Sequence, residues 1–194
     1  MTKETIEGLP EELQELVAGM KGRSYDESRK QYMTESQLKV INFDRFSKYY
    51  CKTTGVAKEP TTNDALYKTA TGKWVFIEFK NGTIKKDEIY RKIYDSLIMM
   101  IETGMIPDFA YARTQMSYIL VYNKEIILQE KREKEQTSKD RMHRHMEEKA
   151  DEIFCLFGLE KLREYLFEDT QTYTKEQFEK EFVEKYEKIE GIVE

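Results

Sequence analysis

The sequence predicts an α/β protein built on a mixed β-sheet. Two runs rich in aromatic and β-branched residues, 74–80 and 117–123, have the composition of buried strands. The amphipathic segment 87–103 between them has the length of a crossover helix, so the two strands can lie parallel in one sheet. A further run, 63–67, precedes the first of these strands across the turn-forming residues 71–73, which predicts a hairpin.

The N-terminal part of the chain predicts one helix and a connector. Residues 9–20 place Pro10 and several acids in a first turn, and their large apolar residues form one stripe. This pattern is typical of an amphipathic helix that packs on the body of the protein. Residues 21–32 are polar and basic and are predicted to form a connector.

A second helix is predicted before the hairpin. Thr34 and Gln37 have the spacing of a capping box, and apolar residues then recur to about Lys52. A break near Asp44, which could itself cap a helix, is an alternative start. Residues 53–62 are rich in turn-forming residues and are predicted to be mostly loop.

The segment after residue 123 predicts helices. Residues 125–150 are densely charged, and residues 151–168 are strongly apolar. Thr174 and Gln177 form a second capping box, which predicts a final acidic helix to about Ile189.

The strand at 74–80 carries the most informative residues of the chain. Successive side chains of a strand point to opposite faces, so Glu78 and Lys80 share one face. Val75, Ile77 and Phe79 then form an apolar stripe on the other face. An acid and a lysine therefore lie side by side at the end of a hydrophobic strand.

These residues have the chemistry of a magnesium-dependent phosphodiesterase. Mg²⁺ prefers oxygen ligands and retains several waters, so two carboxylates and a backbone carbonyl suffice as a partial site. Asp64 and Glu78 supply the carboxylates, and the Phe79 carbonyl is the candidate third ligand. Lys80 can orient the attacking water or stabilise charge on the phosphorane. The predicted cofactor is Mg²⁺, with Mn²⁺ as an alternative.

The motif resembles the PD-(D/E)XK nuclease superfamily, which includes restriction endonucleases, junction resolvases and repair exonucleases. Asp64 matches the first acid of that family, and Glu78-Phe79-Lys80 matches its acid-X-lysine element. The resemblance covers roughly residues 35–123. It implies a restriction-endonuclease-like core of order αβββαβ, with the first strand placed only within residues 53–62. The segments 77–82 and 92–97 also resemble a group of uncharacterised bacterial proteins, which brings no defined substrate.

The resemblance implies further site residues. The family often has an extra acid on the first helix, which would be Glu35 here, with Asp44 as the alternative. Asn63 stands where the family often has proline. The helix after the lysine often carries groups that face the substrate, and the candidates are Lys85, Lys86 and Arg91.

The predicted organisation has three parts. Residues 1–32 form an N-terminal helix and connector, residues 33–128 form the nuclease-like α/β core, and residues 129–194 form a helical extension packed on the core. Residues 21–58 contain nine basic and four acidic side chains, whereas residues 147–194 contain seven and fifteen. A basic central segment of an otherwise acidic chain is compatible with a local phosphate-binding face.

Cysteine usage and hydropathy exclude two classes of protein. The two cysteines, Cys51 and Cys155, are far apart in unlike contexts, so a secreted disulfide scaffold is not expected. No stretch approaches the roughly 20 apolar residues of a membrane span, and no signal peptide is expected. The predicted location is the cytoplasm, with no membrane partner.

Two other features are interpreted as solvated surface. His143 and His145 are two residues apart, a spacing that puts them on different faces of a helix and argues against a metal pair. A basic group on the same stretch is expected to form ion pairs within the helix, with phosphate contact as the alternative. Its members are Arg132, Lys134, Lys139, Arg141 and Arg144.

The residues leave two functions open. The first is a Mg²⁺-dependent nuclease that binds nucleic acid, with DNA as the expected substrate, through its central basic segment. The second is a catalytically inactive module of the same fold, whose acidic C-terminal helices bind a protein partner or a second copy of the chain.

Overall fold

The computed structural model describes residues 1–134 and 156–192 and shows a mixed α/β fold. Its strands are β1 (Val17–Gly19), β2 (Tyr25–Asp26), β3 (Gln31–Tyr32), β4 (Lys39–Asn42), β5 (Ala65–Lys68), β6 (Trp74–Lys80), β7 (Met116–Tyr122) and β8 (Asp169–Thr174).

The helices before β7 are α1 (Lys3–Glu7), α2 (Glu11–Gln14), α3 (Met20–Arg23), α4 (Phe43–Thr54), α5 (Lys86–Glu102) and α6 (Phe109–Gln115). After β7 follow α7 (Lys124–Lys134), a 3₁₀ turn (Leu159–Leu162), α8 (Lys175–Phe178), a π-helical turn (Glu179–Val183) and α9 (Glu184–Ile189).

A six-stranded sheet forms the centre of the described residues, in the order β1-β4-β5-β6-β7-β8. Strands β1, β4, β5 and β6 pair with one another antiparallel, whereas β7 pairs in parallel with both β6 and β8. Helix α5 is the crossover between the parallel strands β6 and β7, as the sequence predicts. Strands β2 and β3 form a separate two-stranded hairpin.

The predicted hairpin of β5 and β6 is confirmed. The turn is closed by a hydrogen bond from the Thr69 N–H to the Lys73 carbonyl, 2.9 Å long. Gly72 has a φ of 87°, which glycine adopts without steric cost. Asp64 lies immediately before β5 rather than within it.

The two faces of the sheet are covered by different helices. Phe76 of β6 makes an edge-to-face contact with Phe43 of α4. On the opposite face, Phe79 contacts Phe178 of α8, and Tyr67 contacts Phe182 of the π-helical turn. The C-terminal helices therefore cover the predicted apolar stripe of β6. Glu78 and Lys80 project to the face that α4 and α5 cover.

The helix predicted from the Thr34–Gln37 capping box is wrong in its first part. Residues 34–38 are not helical, and β4 follows them. Helix α4 begins only at Phe43, after Asn42, whose side chain accepts a hydrogen bond from the Arg45 N–H. Pairing of the apolar strand β4 with β1 and β5 outweighs the local capping signal.

The order of elements around the hairpin also differs from the expected αβββαβ core. Residues 53–62 contain no strand. The strand that was expected there is β4, which precedes α4 instead of following it. The described order from β4 to β7 is β-α-β-β-α-α-β, so the general α/β class is confirmed while this detail of the prediction is wrong.

The N-terminal prediction is also corrected. In place of one helix over residues 9–20, the chain forms the short helix α2, the strand β1, which pairs with β4, and the start of α3. In place of a plain connector, residues 21–32 contain the end of α3 and the β2–β3 hairpin. The short apolar run at Val17 pairs with β4 at the edge of the sheet. By itself this run shows neither a helical nor a strand period in the sequence, so the sequence did not identify it as a strand.

The prediction of a helical C-terminal extension is wrong for residues 169–174. These residues form β8, which pairs in parallel with β7, Ser117 lying opposite Asp169. The side chains of Thr170, Thr172 and Thr174 are buried. The capping box of Thr174 and Gln177 is confirmed at the start of α8.

Part of the predicted C-terminal structure lies outside the described residues. The helix over 125–150 is confirmed as α7 as far as Lys134. His143, His145, Cys155 and the basic group beyond Lys134 lie outside the described residues. Leu159, Leu162 and Leu166 of the apolar run are buried in the core. None of the helices in the described ranges combines the length and apolar composition of a membrane span.

Candidate active site

Asp64 is held at the end of β6 by the backbone of that strand. Its Oδ2 atom accepts a hydrogen bond of 2.7 Å from the Phe79 N–H. This bond occurs just where the regular pairing of β5 and β6 stops, since Ala65 and Ile77 are their last paired residues. The bond fixes the Asp64 carboxylate next to the strand that carries Glu78.

The carboxylates of Asp64 and Glu78 meet at one ammonium group. The Nζ of Lys92 lies 2.6 Å from Glu78 Oε1 and 3.5 Å from Asp64 Oδ1. Lys80 Nζ lies 3.3 Å from the same Glu78 oxygen. The structure therefore brings together the three residues that the sequence singled out, and it adds a second lysine.

Lys92 is the residue that sequence reasoning missed. It lies on α5 three residues after Ile89 and four residues before Ser96, both of which are buried. The side chains of residues three and four apart share a helix face, so Lys92 belongs to the face that packs on the sheet. A lysine within a buried stripe was the signal that could have identified it.

Ser96 fixes the position of α5 beside Asp64. The Asn63 N–H and its side-chain Nδ2 both donate to Ser96 Oγ, at 3.2 and 3.1 Å. Both residues are fully buried. Asn63 directly precedes Asp64, and its contact with Ser96 thus connects this part of the chain to α5 one turn after Lys92. This contact gives a structural reason for asparagine at position 63, because both its N–H and its side-chain amide donate.

The site has a buried floor and a more open side. Glu78 has no exposed surface, whereas the side chains of Asp64, Lys80 and Lys92 are 25%, 20% and 22% exposed. Glu78 Oε2 and the Tyr118 hydroxyl are both buried, and neither has a hydrogen-bond partner among the described residues. Two unpartnered oxygen atoms at the floor of a charged notch are unusual in a folded protein.

Burial dominates the electrostatics of the carboxylates. It raises the pKa of Glu78 to about 7, and the charge of Asp64 adds to this effect, while Lys92 and Lys80 oppose it. Burial likewise raises the pKa of Asp64 against the opposing charge of Lys92 and the Phe79 N–H. Burial followed by the charges of Glu78 and Asp64 raises the pKa of Tyr118.

At Lys92, nearby charges together have a larger effect on the pKa than burial does. Burial works against its charged form, but the charges of Asp64 and Glu78 more than offset this and raise the pKa of Lys92. The ammonium therefore stays charged between the two carboxylates. It supplies the positive charge that the pair needs in a water-poor environment.

The donors fit a small, hard cation. Asp64 Oδ1 and the unpartnered Glu78 Oε2 are two carboxylate oxygens within one notch. The N–H and C=O of one strand residue point to the same edge, so the Phe79 carbonyl faces the side on which its N–H meets Asp64. Within residues 1–134 and 156–192, no group of three or more Asp, Glu, His or Cys side chains clusters as a metal site. A bound Mg²⁺ would therefore complete its shell mainly with water.

Glu35 does not join the site. It lies in the loop before β4, its side chain is 72% exposed, and it pairs with Lys21 at 2.5 Å. The first-helix acid whose charge acts on Asp64 is Asp44, in the first turn of α4. Asp44 accepts a hydrogen bond from the Thr62 hydroxyl and pairs with Arg23.

The three basic candidates for substrate contact are exposed at the start of α5. Lys85 pairs with Glu88 at 3.0 Å. This contact, with the charges of Lys80 and Arg91, lowers the pKa of Glu88. Lys86 ends close to Gly158. The charges of Lys85, Lys80 and Arg91 thus all act on Glu88, whereas Lys86 points towards another segment.

Comparisons with protein-family models, with curated proteins and with solved structures found no match.

Proposed function

We propose that this protein is a Mg²⁺-dependent nuclease that hydrolyses phosphodiester bonds of nucleic acid, with DNA as the first substrate to test and Mn²⁺ as an alternative metal. The observation that carries the proposal is the meeting of the Asp64 and Glu78 carboxylates at one cation, with Lys80 beside them. A cytoplasmic location is part of this proposal.

Asp64, Glu78 and the Phe79 carbonyl would hold the metal. When bound, Mg²⁺ activates water and neutralises charge on the phosphate oxygens. The Phe79 N–H holds the Asp64 carboxylate in place before any metal arrives, which limits the reorganisation that binding requires. Burial of Glu78 keeps competing water away from one of its oxygens.

The two lysines have different places in this scheme. Lys80 closes the exposed end of β6, where it can orient the attacking water or stabilise negative charge on the phosphorane. Lys92 neutralises the carboxylates while no metal is bound, so the binding of Mg²⁺ competes with it. Lys85 and Arg91 extend the positive surface on which a phosphate backbone can lie.

The direct test is cleavage of linear duplex DNA, circular DNA, single-stranded DNA and RNA in Mg²⁺, in Mn²⁺ and in EDTA. Removing a preorganised group that stabilises a transition state costs on the order of 10²–10³ in rate, and we expect losses of this size for Asp64→Asn, Glu78→Gln and Lys80→Ala. Lys3→Ala, at an 88% exposed side chain, is the matched control. Equal cleavage by the parent chain and the Asp64→Asn variant on every substrate would refute the proposal.

A second candidate function is a catalytically inactive module that binds a protein partner or a second copy through its acidic C-terminal helices. One observation favours it: Lys92 already neutralises both carboxylates. Calorimetric titration with Mg²⁺ and Mn²⁺ separates the two, because an inactive module gives no heat with either metal. Light scattering then tests whether the chain assembles.

A further inference from the structure

The β2–β3 hairpin exposes a pair of aromatic rings. Tyr25 and Tyr32 are directly opposite each other in the hairpin, with ring centroids 4.8 Å apart. Each residue keeps 42% of its surface exposed. The Nζ of Lys21 lies 4.7 Å from the centroid of the Tyr32 ring. The pair thus combines exposed aromatic surface with an adjacent ammonium group, which also pairs with Glu35.

The turn of the hairpin carries two exposed cations. Arg29 and Lys30 lie between β2 and β3, and both are exposed. The carboxylate of Asp26 accepts hydrogen bonds from the Ser28 hydroxyl and from the Ser28 and Arg29 N–H groups. Its charge is therefore used mainly within the turn, and its contact with the Arg29 side chain is long, at 3.9 Å. Glu27 is the exposed acid on the same turn.

One ion pair places the base of this hairpin beside the candidate active site, because it involves Asp44, whose charge acts on Asp64. At the base of the hairpin, Arg23 pairs with Asp44 at 3.3 Å. The aromatic pair therefore belongs to the rim of the notch.

We propose that the β2–β3 hairpin binds an unpaired segment of the nucleic-acid substrate, with a base stacked on the Tyr25–Tyr32 pair and neighbouring phosphates over Arg29 and Lys30. Bases in a duplex stack on one another, so an aromatic pair on a protein surface reaches the face of a base only where the strand is unpaired. This inference rests on the proposed nuclease function, and it names single-stranded or overhanging nucleic acid as the substrate class.

The test measures binding without cleavage. In a Lys80→Ala background with Mg²⁺, fluorescence anisotropy gives the affinity for a labelled single-stranded oligonucleotide, for its duplex and for an abasic oligonucleotide of equal length. Stacking of one base contributes enough that the Tyr25→Ala/Tyr32→Ala variant should lose about tenfold or more in affinity for the single strand. The same variant should bind the abasic ligand as the parent does, because that ligand has phosphates but no bases.

Three comparisons complete the experiment. Tyr25→Phe/Tyr32→Phe keeps the rings and should keep the affinity, whereas Tyr165→Ala, at a 62% exposed tyrosine elsewhere, should change nothing. Arg29→Gln/Lys30→Gln should weaken binding to both ligands and reduce the salt dependence. Thermal unfolding confirms that each variant is folded.

Two outcomes would overturn the hairpin proposal. One is an unchanged affinity of the Tyr25→Ala/Tyr32→Ala variant for the single strand, and the other is an equal loss on the normal and abasic ligands. Metal-dependent cleavage by the parent chain is measured separately. Tyrosine-dependent binding without any cleavage would therefore refute the nuclease but not the binding surface.

Discussion

The Lys92 ammonium lies 2.6 Å from a carboxylate oxygen of Glu78, a residue with no exposed surface. The Asp64 carboxylate contacts the same nitrogen at 3.5 Å. A buried carboxylate requires a compensating positive charge. Lys92 thus supplies positive charge at the position where the proposed function puts a divalent metal ion.

Replacing this lysine tests that relationship. In EDTA, Lys92→Met should lower the free energy of unfolding by about 2 kcal/mol, less than the roughly 3–5 kcal/mol for breaking a fully buried pair, because Lys80 remains beside Glu78. Adding Mg²⁺ should then raise the melting temperature more in the variant than in the parent, because a competing cation is gone. Differential scanning fluorimetry measures both effects.

Lys73→Met is the matched control for this experiment, since Lys73 pairs with Glu168 on the surface. It should change the melting temperature little and leave the Mg²⁺ effect as in the parent. An identical Mg²⁺-induced shift in the parent and in Lys92→Met would contradict the competition between the lysine and the metal.

Glu78 predicts a pH dependence of stability in the absence of metal. Its pKa in the folded protein is raised to about 7 from the usual 4.5, mainly by burial. The folded state therefore binds this proton more tightly than the unfolded state does. The resulting stabilisation is complete below about pH 4.5 and is lost as the pH rises through 7.

The size of this effect between pH 4.5 and 8 should be about 3 kcal/mol, and Glu78→Gln should remove it. Urea unfolding in EDTA at several pH values between 4.5 and 8 gives the free energies, and the difference between parent and variant isolates Glu78 from the other acids. A difference that does not vary with pH would show that Glu78 is ionised throughout this range.

The contact between Asn63 and Ser96 predicts a loss of both stability and activity. Ser96→Ala leaves two buried donors of Asn63 without an acceptor, which should cost about 1–3 kcal/mol. Because the contact fixes α5 beside Asp64, cleavage should fall by more than the lost stability explains at a temperature where the variant is folded. Ser47→Ala is a suitable control, since the Ser47 hydroxyl donates to the Asp44 carbonyl of its own helix.

Substitutions of the two candidate acids of the first-helix region should have different effects on cleavage. Asp44→Asn should reduce cleavage, because Asp44 lies beside Thr62 and its charge reaches Asp64. Glu35→Gln should leave cleavage unchanged, because Glu35 pairs with Lys21 in another loop. Initial rates at saturating Mg²⁺ compare the two, and a larger loss for Glu35→Gln would reverse the assignment.

The centre of the fold was predictable because its signals are local. Strands β6 and β7 and the crossover helix α5 have clear apolar patterns. No observed end of these elements differs from the predicted one by more than one residue. The three motif residues Asp64, Glu78 and Lys80 follow from those elements, since strand alternation alone puts Glu78 and Lys80 on one face.

The remaining elements depended on tertiary contacts. Strand β8 buries Thr170, Thr172 and Thr174, so its covered face has no apolar pattern to detect. Strand β4 follows a sequence that locally resembles a helix start, and only its pairing with β1 and β5 decides the outcome. Lys92 was missed for a related reason, because the carboxylates that accept a lysine on the buried face of α5 come from other segments.

The charged notch is assembled from three successive pieces of chain: the residue before β5, the end of β6 and the second turn of α5. The acidic members are synthesised before the lysine that neutralises them most closely. A nascent chain that ends ahead of residue 92 has Lys80 as the nearby cation for Glu78 and lacks the helix that covers this face. Docking of α5 should therefore be a late, cooperative step in folding, and closure of the sheet and competence to bind a metal should appear together.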